Sequence, residues 1–283
     1  MTPAIPADLK NRLLLMGVLS LMGYVAFLVF YGNEALSGPR LNREIFIWPA
    51  VIGLSLMYWQ GYRILELLRE APVKLIVAFG ALFAATALFI DNFHSTDLFG
   101  YINRGWQQVG HDVKPYVKTV DEVTGWQQDP MFYDHWVDNP SPYGFVYMQI
   151  VRLLTWMGGA SHAQTVLVFK LFNVLVFGII ARLVWLTSRH LDIRRPELGL
   201  YLFLWNPLLL LHHIANGHND MAMMMFVLTG SIVFANFINV SGLPGATLRT
   251  TTRAWRALER RNRCRPPASS SGALPPTRDC VCI

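Results

Sequence analysis

Charge is scarce in this chain: charged residues make up 15% of the sequence, hydrophobic ones 53%. A soluble globular domain carries about 25% charged residues, so an ordinary soluble domain is not expected. Cysteine is scarcer still. The 283 residues hold 3 of them, Cys264, Cys280 and Cys282, all near the C-terminal end, which argues neither for a disulfide framework nor for a metal site. A surplus of one charge sign is also absent once the last segment is set aside. The formal net charge is +6, but from residue 243 onward eight Arg face two acidic residues, and the remainder balances sixteen basic against sixteen acidic side chains. The electrostatic case for nucleic acid as a partner therefore disappears. No internal repeat marks the inverted halves of a secondary transporter. A cleaved leader is not expected either, because the first apolar run exceeds the usual h-region of about 7–15 residues and no small-x-small site clearly follows it.

What the chain does have comes in apolar runs. Leu13–Tyr31, Ile45–Gln60, Val73–Ile90, Thr165–Leu186, Leu198–Ile214 and Met221–Val240 are each 16 to 22 residues long, close to the roughly 17–25 that cross a bilayer core. None shows the charged face that a soluble helix of this length would carry. The expected fold is all-α, a multi-pass protein of the cell membrane with about six spanning helices. Phe145 to Met157 stands apart, an apolar stretch of only thirteen residues with Arg152 inside it. If it spanned, the basic loop SRHLDIRRPE (188–197) would fall outside, against the positive-inside rule. As one short interfacial or re-entrant helix it leaves that loop in the cytoplasm. The same rule puts Lys10 and Arg12 inside, Arg63 and Arg69 inside, and the segment 91–144 on the extracytoplasmic side.

The expected organisation is three transmembrane helices over 1–90, an extracytoplasmic catalytic loop over 91–144, and the interfacial helix with three further transmembrane helices over 145–240. Residues 241–283 form a basic tail. Its Arg, Pro, Ser and Thr, without an apolar period, give it a disordered composition. The abrupt change of character, with every cysteine beyond it, reads as an out-of-frame or truncated end; a natural basic tail is the alternative.

Chemistry is expected in 91–144. It holds eight of the 18 acidic residues (Asp91, Asp97, Asp112, Asp121, Glu122, Asp129, Asp134, Asp138) against Arg104, Lys114 and Lys118. Long loops with carboxylates and aromatics are where function concentrates. Asp97, in Thr96-Asp97-Leu98-Phe99-Gly100-Tyr101, has three readings: general base, metal ligand or helix cap, the cap being the commonest role for such a residue. Lys114-Pro115-Tyr116 follows Gly110 as a turn. Trp136 with Ser141-Pro142-Tyr143-Gly144 reads equally well as a rigid turn with interfacial aromatics or as a substrate contact. Asn206-Pro207 precedes His212, His213, Asn216, His218, Asn219 and Asp220, a gathering of polar groups at one helix end that outweighs any lone histidine.

Taken together, Asp97-x-x-x-Tyr101-x-x-x-Gly105, Gly110 with Pro115-Tyr116, Trp136 with Ser141 to Gly144, and Asn206-Pro207 with Gly217 to Asp220 resemble the polyprenol-phosphate-sugar-dependent glycosyltransferases of the GT-C fold. The likeness is greatest to the bacterial α-1,6-mannosyltransferases of lipomannan-type synthesis. Against that family the chain reads as C-terminally truncated, and Phe145 stands where its SPYGP motif has the second proline. The resemblance implies inverting transfer of a hexose, mannose by analogy, from a polyprenol-phosphate donor to an extracytoplasmic glycan or glycolipid acceptor at the lipid bilayer. It implies Asp97 as the catalytic carboxylate and base, and Tyr101, Arg104, Tyr116, Trp136, Ser141, Tyr143, Arg152, His218, Asn219 and Asp220 as substrate-binding residues. Arg104, Arg152 and His218 are the cations available to a lipid phosphate, Lys170 a weaker one. The resemblance makes no cofactor certain. A divalent ion on Asp97, His94 or Asp220 is compatible with the sequence, but the spacing does not demand one. The rival readings are a transporter or permease, which would carry ionisable groups along its helices near the midplane, and an inactive truncated remnant. Charges here gather in loops, which favours interfacial chemistry.

Overall fold

The computed structural model of the protein describes residues 7–32, 40–191 and 193–241. The basic tail and its cysteines lie outside the described residues. Those described form helices without a strand: α1 (Ala7–Gly32), α2 (Arg40–Leu67), α3 (Val73–Phe89), α4 (Asp97–Val109), α5 (Phe145–Gly158), α6 (His162–His190), α7 (Pro196–Leu204), α8 (Pro207–Ala215) and α9 (Asp220–Ser241).

Among the described residues, two helices, α1 over Asp8–Phe30 and α6, are long and apolar enough to cross a membrane, and α7 with α8 makes a third if a pair bent by 41° counts as one span. The apolar runs suggested about six, and two of those runs are short or broken for local reasons. Helix α3 has 17 residues and reaches only about 26 Å at 1.5 Å per residue. The run 198–214 is cut at Asn206-Pro207, where proline has no N–H to continue the helix. A new helix starts there: the Asn206 side chain accepts from the N–H groups of Leu208 (3.0 Å) and Leu209 (3.4 Å), with Pro207 at the first helical position. Helix α5 has 14 residues, about 21 Å, too short for a core of about 30 Å. It leaves Phe145, Val146, Leu153, Trp156 and Met157 exposed.

Helix α1 packs on α2 and α3, α6 on α7 and α9, and α3 on the last turns of α8, around Tyr24, Phe83, Tyr201 and Trp205. Polar ties fix which loops share an end of this bundle. At one end the Arg195 guanidinium donates to the carbonyls of Leu65 (2.8 Å), Glu66 (2.8 Å) and Leu68 (3.1 Å), satisfying acceptors that the C-terminus of α2 leaves open. At the other end the Asn216 side chain accepts from the N–H groups of Phe93 (3.0 Å) and His94 (3.2 Å), and its carbonyl accepts from Asn92 (2.7 Å). The segment after α3 and the segment before α9 are thereby joined.

The stretch 91–144 is not all the loop that was expected: Asp97 opens α4. Leu98, Tyr101 and Ile102, at helical spacing, are buried with Met148, Val151 and Phe169 of α5 and α6 in a second core. Gly105 lets α4 lie against Thr155 of α5, where a Cβ would collide. The polar face of α4 is equally buried and holds the chain that follows. Asn103 donates to the carbonyls of Tyr133 and His135 (both 2.9 Å) and accepts from the Tyr133 N–H (2.9 Å), while Gln107 donates to the Lys118 carbonyl (3.2 Å). Each such bond contributes a net ~0.5–1.5 kcal/mol, whereas an unpaired buried group costs ~1–3 kcal/mol. The long segment is thus wound onto α4 as its necessary partner.

Candidate active site

Asp97 sits in the first turn of α4. Its carboxylate takes none of the helix's own amides among the described residues; instead Oδ2 lies 3.2 Å from Nδ1 of His218. The cap reading is therefore not what this side chain does. His218 is positioned from the other side by Gly217, whose φ of +77° is left-handed and whose α-carbon faces Leu98, so that a Cβ there would stand 3.0 Å from a Leu98 methyl carbon. Only glycine meets both conditions without strain. Beside them the Tyr101 hydroxyl donates to Oδ1 of Asn219 (3.2 Å).

A cavity of about 430 Å³ opens next to Asp97, walled by Gly100, Arg104, Trp136, Ser141, Tyr143 and residues 139, 140 and 142. Arg104 is 3% exposed. Its guanidinium donates to the carbonyls of Gly100 (3.1 Å), Trp136 (3.2 Å) and Asn139 (2.8 Å), and Nε has no partner. Burial lowers its pKa, opposed by Tyr143 and Asp138. Trp136 has φ +59°, an unusual backbone for a bulky side chain, and its indole N–H donates to Oγ1 of Thr96 (3.0 Å). Tyr101, Tyr143 and Tyr147 form an edge-to-face cluster with centroids 5.1 to 5.8 Å apart. Burial raises the Tyr101 hydroxyl, with Tyr147, Tyr143 and Asp97 adding to it. Burial also lowers the His218 imidazole below 6.5; His212 adds to this, while Asp97 and Asp220 oppose it. His218 is therefore neutral at pH 7. The His212 ring stacks on His218 with centroids 3.7 Å apart, and one atom each of His212, His218 and Asp220 lie within 4.8 Å of one another.

The structure thus brings together Asp97, Tyr101, Arg104, Trp136, Ser141, Tyr143, His218, Asn219 and Asp220. It leaves two expected residues apart. Tyr116 is exposed and does not line the cavity, although the neighbouring Pro115 carbonyl accepts from the Ser141 N–H (2.7 Å). Arg152 lines a separate cavity of about 620 Å³ with Gln108, Asp112, Gln149 and Trp156. Lys170 is buried and its ammonium donates to the Ile90 carbonyl (2.6 Å), tying α6 to the end of α3. Tyr147 and Asn139 were not singled out in the sequence, and His212 was read only as one of a polar group. For His212 the signal lay in its six-residue spacing from His218, which the π-helical turn Leu210–Ala215 converts into a stack.

A family model described as "Alpha-(1->6)-mannopyranosyltransferase, N-terminal domain" matches residues 14–258. Alpha-(1->6)-mannopyranosyltransferase A of Mycobacterium tuberculosis is 26% identical over 217 residues, 75% of this chain and 40% of that protein. A second alpha-(1->6)-mannopyranosyltransferase of the same organism is 27% identical over 172 residues, 58% of this chain and 27% of that protein. The chain spans less than half the length of these relatives, and no solved structure matches it. With the family model matching most of its length, the chain belongs to the alpha-(1->6)-mannopyranosyltransferase family.

Proposed function

We propose that this chain carries the transfer site of a membrane α-1,6-mannosyltransferase. It moves mannose from a polyprenol-phosphate donor to an extracytoplasmic glycan or glycolipid acceptor. In this reading the α4–α9 end of the bundle faces the extracytoplasmic side, about six helices cross the bilayer, and α5 lies in the interface with its exposed apolar side chains in lipid.

The observation that carries the reading is the Asp97 carboxylate at a cavity of about 430 Å³, paired with neutral His218 and ringed by aromatic and hydroxyl side chains. Aromatic walls with a few fixed polar groups suit a sugar ring. The acceptor hydroxyl oxygen attacks the anomeric carbon, the bond to the phosphate oxygen breaks, and the lipid phosphate leaves with the electron pair. Asp97 takes the hydroxyl proton, the role of a positioned general base. Inversion with an α-linked product requires a β-linked donor. The charge that develops on the phosphate meets Arg104 in the cavity wall, where burial strengthens a fixed cation. Tyr101, fixed by Asn219, and Tyr143 shape the sugar site.

The test is transfer by vesicles containing this chain, supplied with β-linked polyprenol-phosphate mannose and an α-mannoside acceptor. The expected result is a new α-linkage from the lipid donor and none from a nucleotide sugar. Absence of transfer, or retention of configuration, contradicts the reading.

A further inference from the structure

We infer that His212, His218 and Asp220 form a binding site for one divalent first-row transition ion such as zinc or cobalt. One ligand-capable atom from each lies within 4.8 Å of the other two, a spacing a single ion can bridge. A second observation concerns the two ring nitrogens of His218. Its Nδ1 lies 3.2 Å from Asp97 Oδ2, while its Nε2 is buried without any partner. A ligating histidine commonly donates one ring N–H to a carboxylate and offers the other nitrogen to the metal. Here the carboxylate is in place and the second nitrogen is left over. A buried imidazole nitrogen with nothing to bond is otherwise a penalty that folding gains nothing from. The stack of His212 on His218, centroids 3.7 Å apart, further holds the two imidazoles in one orientation.

Two imidazoles and one carboxylate select borderline transition ions over magnesium or calcium, which take oxygen ligands. Three protein ligands leave a position open, the pattern of a reactive ion and not of a structural one. That the open position receives a phosphate oxygen of the donor rests on the transferase reading above; the binding of the ion does not.

The test uses the full chain in detergent with Cys264, Cys280 and Cys282 replaced by serine, so that no thiolate competes. Equilibrium dialysis against Co2+ should give one more bound equivalent than in His212→Ala or Asp220→Asn, with visible bands of low-coordinate cobalt that Zn2+ bleaches and excess Mg2+ does not. Asp97→Asn should lower the affinity about 10- to 100-fold, and His190→Ala should bind as the parent does. Circular dichroism and size-exclusion profiles matching the parent would show that each variant is folded. Equal cobalt stoichiometry in the parent, His212→Ala and Asp220→Asn, or the same loss in His190→Ala, overturns the inference. Transfer that persists without bound metal counts against the phosphate contact of the ion alone, and cobalt binding without transfer counts against the mannosyltransferase reading alone.

Discussion

Replacing Arg104 with methionine keeps most of the side-chain volume and removes a buried fork that holds the cavity wall. Two of its three bonds, to the carbonyls of Trp136 (3.2 Å) and Asn139 (2.8 Å), reach across to the wall segment. A bond from a charged donor is worth about 1.5–3 kcal/mol, so simple addition gives about 3–6 kcal/mol. The two bonds share one side chain and are not independent, and the released carbonyls, on exposed residues, regain water. The lower end, about 3 kcal/mol, is the better figure. Trp136 adds to the release, since its φ of +59° stores about 1–3 kcal/mol of strain that the fork helps to hold. At 1.4 kcal/mol per decade, 3 kcal/mol corresponds to roughly 100-fold more frequent local opening. Hydrogen exchange should therefore be about 100-fold faster over residues 134–143 in Arg104→Met, with α6 unchanged. Arg104→Lys should not restore protection, because an ammonium does not reproduce the planar fork. Exchange over 134–143 that stays within threefold of the parent would refute this reasoning.

Three further outcomes follow from the same geometry. Gly217→Ala should lose about 1–3 kcal/mol in denaturant unfolding, the cost of a left-handed non-glycine residue, with the Cβ–Leu98 contact adding to it. Asp129 is raised by burial but more strongly lowered by bonds from the Trp106 indole, the Met131 N–H and His111, so its contribution is present above about pH 4 and is lost as pH falls through its folded value. Asp129→Asn should cost about 2 kcal/mol at pH 7 and flatten that part of the acid unfolding curve. His218 is depressed from 6.5, so the unfolded chain binds its proton first. Its contribution is complete above about pH 6.5 and is lost as pH falls. The thermal midpoint, measured in chelator, should drop less between pH 7 and pH 5 in His218→Gln than in the parent.

Much of the helical scaffold was legible because apolar runs report helices directly. Val73–Ile90 and Phe145–Met157 match α3 and α5 to within a residue. The break within Leu198–Ile214 was less legible, because a run does not say how far Pro207 bends the chain. Helix α4 was hidden for a different reason. Its apolar period of Leu98, Tyr101 and Ile102 was present, but the helix buries its polar face, with Asn103, Arg104 and Gln107, as well. Their burial depends on a following segment whose backbone needs those donors, a relation between residues about 30 apart that periodicity does not carry. The meeting of Asp97 with the Gly217–Asp220 segment was expected from polar residues concentrated at two helix ends. The stack of His212 on His218 depends on a π-helical turn that changes the register within α8, so the six-residue spacing alone did not announce it.

The proton-accepting role of Asp97 is open to one direct measurement: the rate of mannose transfer from polyprenol-phosphate mannose by membranes containing Asp97→Asn. The asparagine keeps the shape of the side chain beside His218 and removes its basicity. Insertion and helical content should match the parent while transfer falls by about 100- to 10,000-fold. Turnover at the parent rate would contradict the assignment of Asp97 as the base.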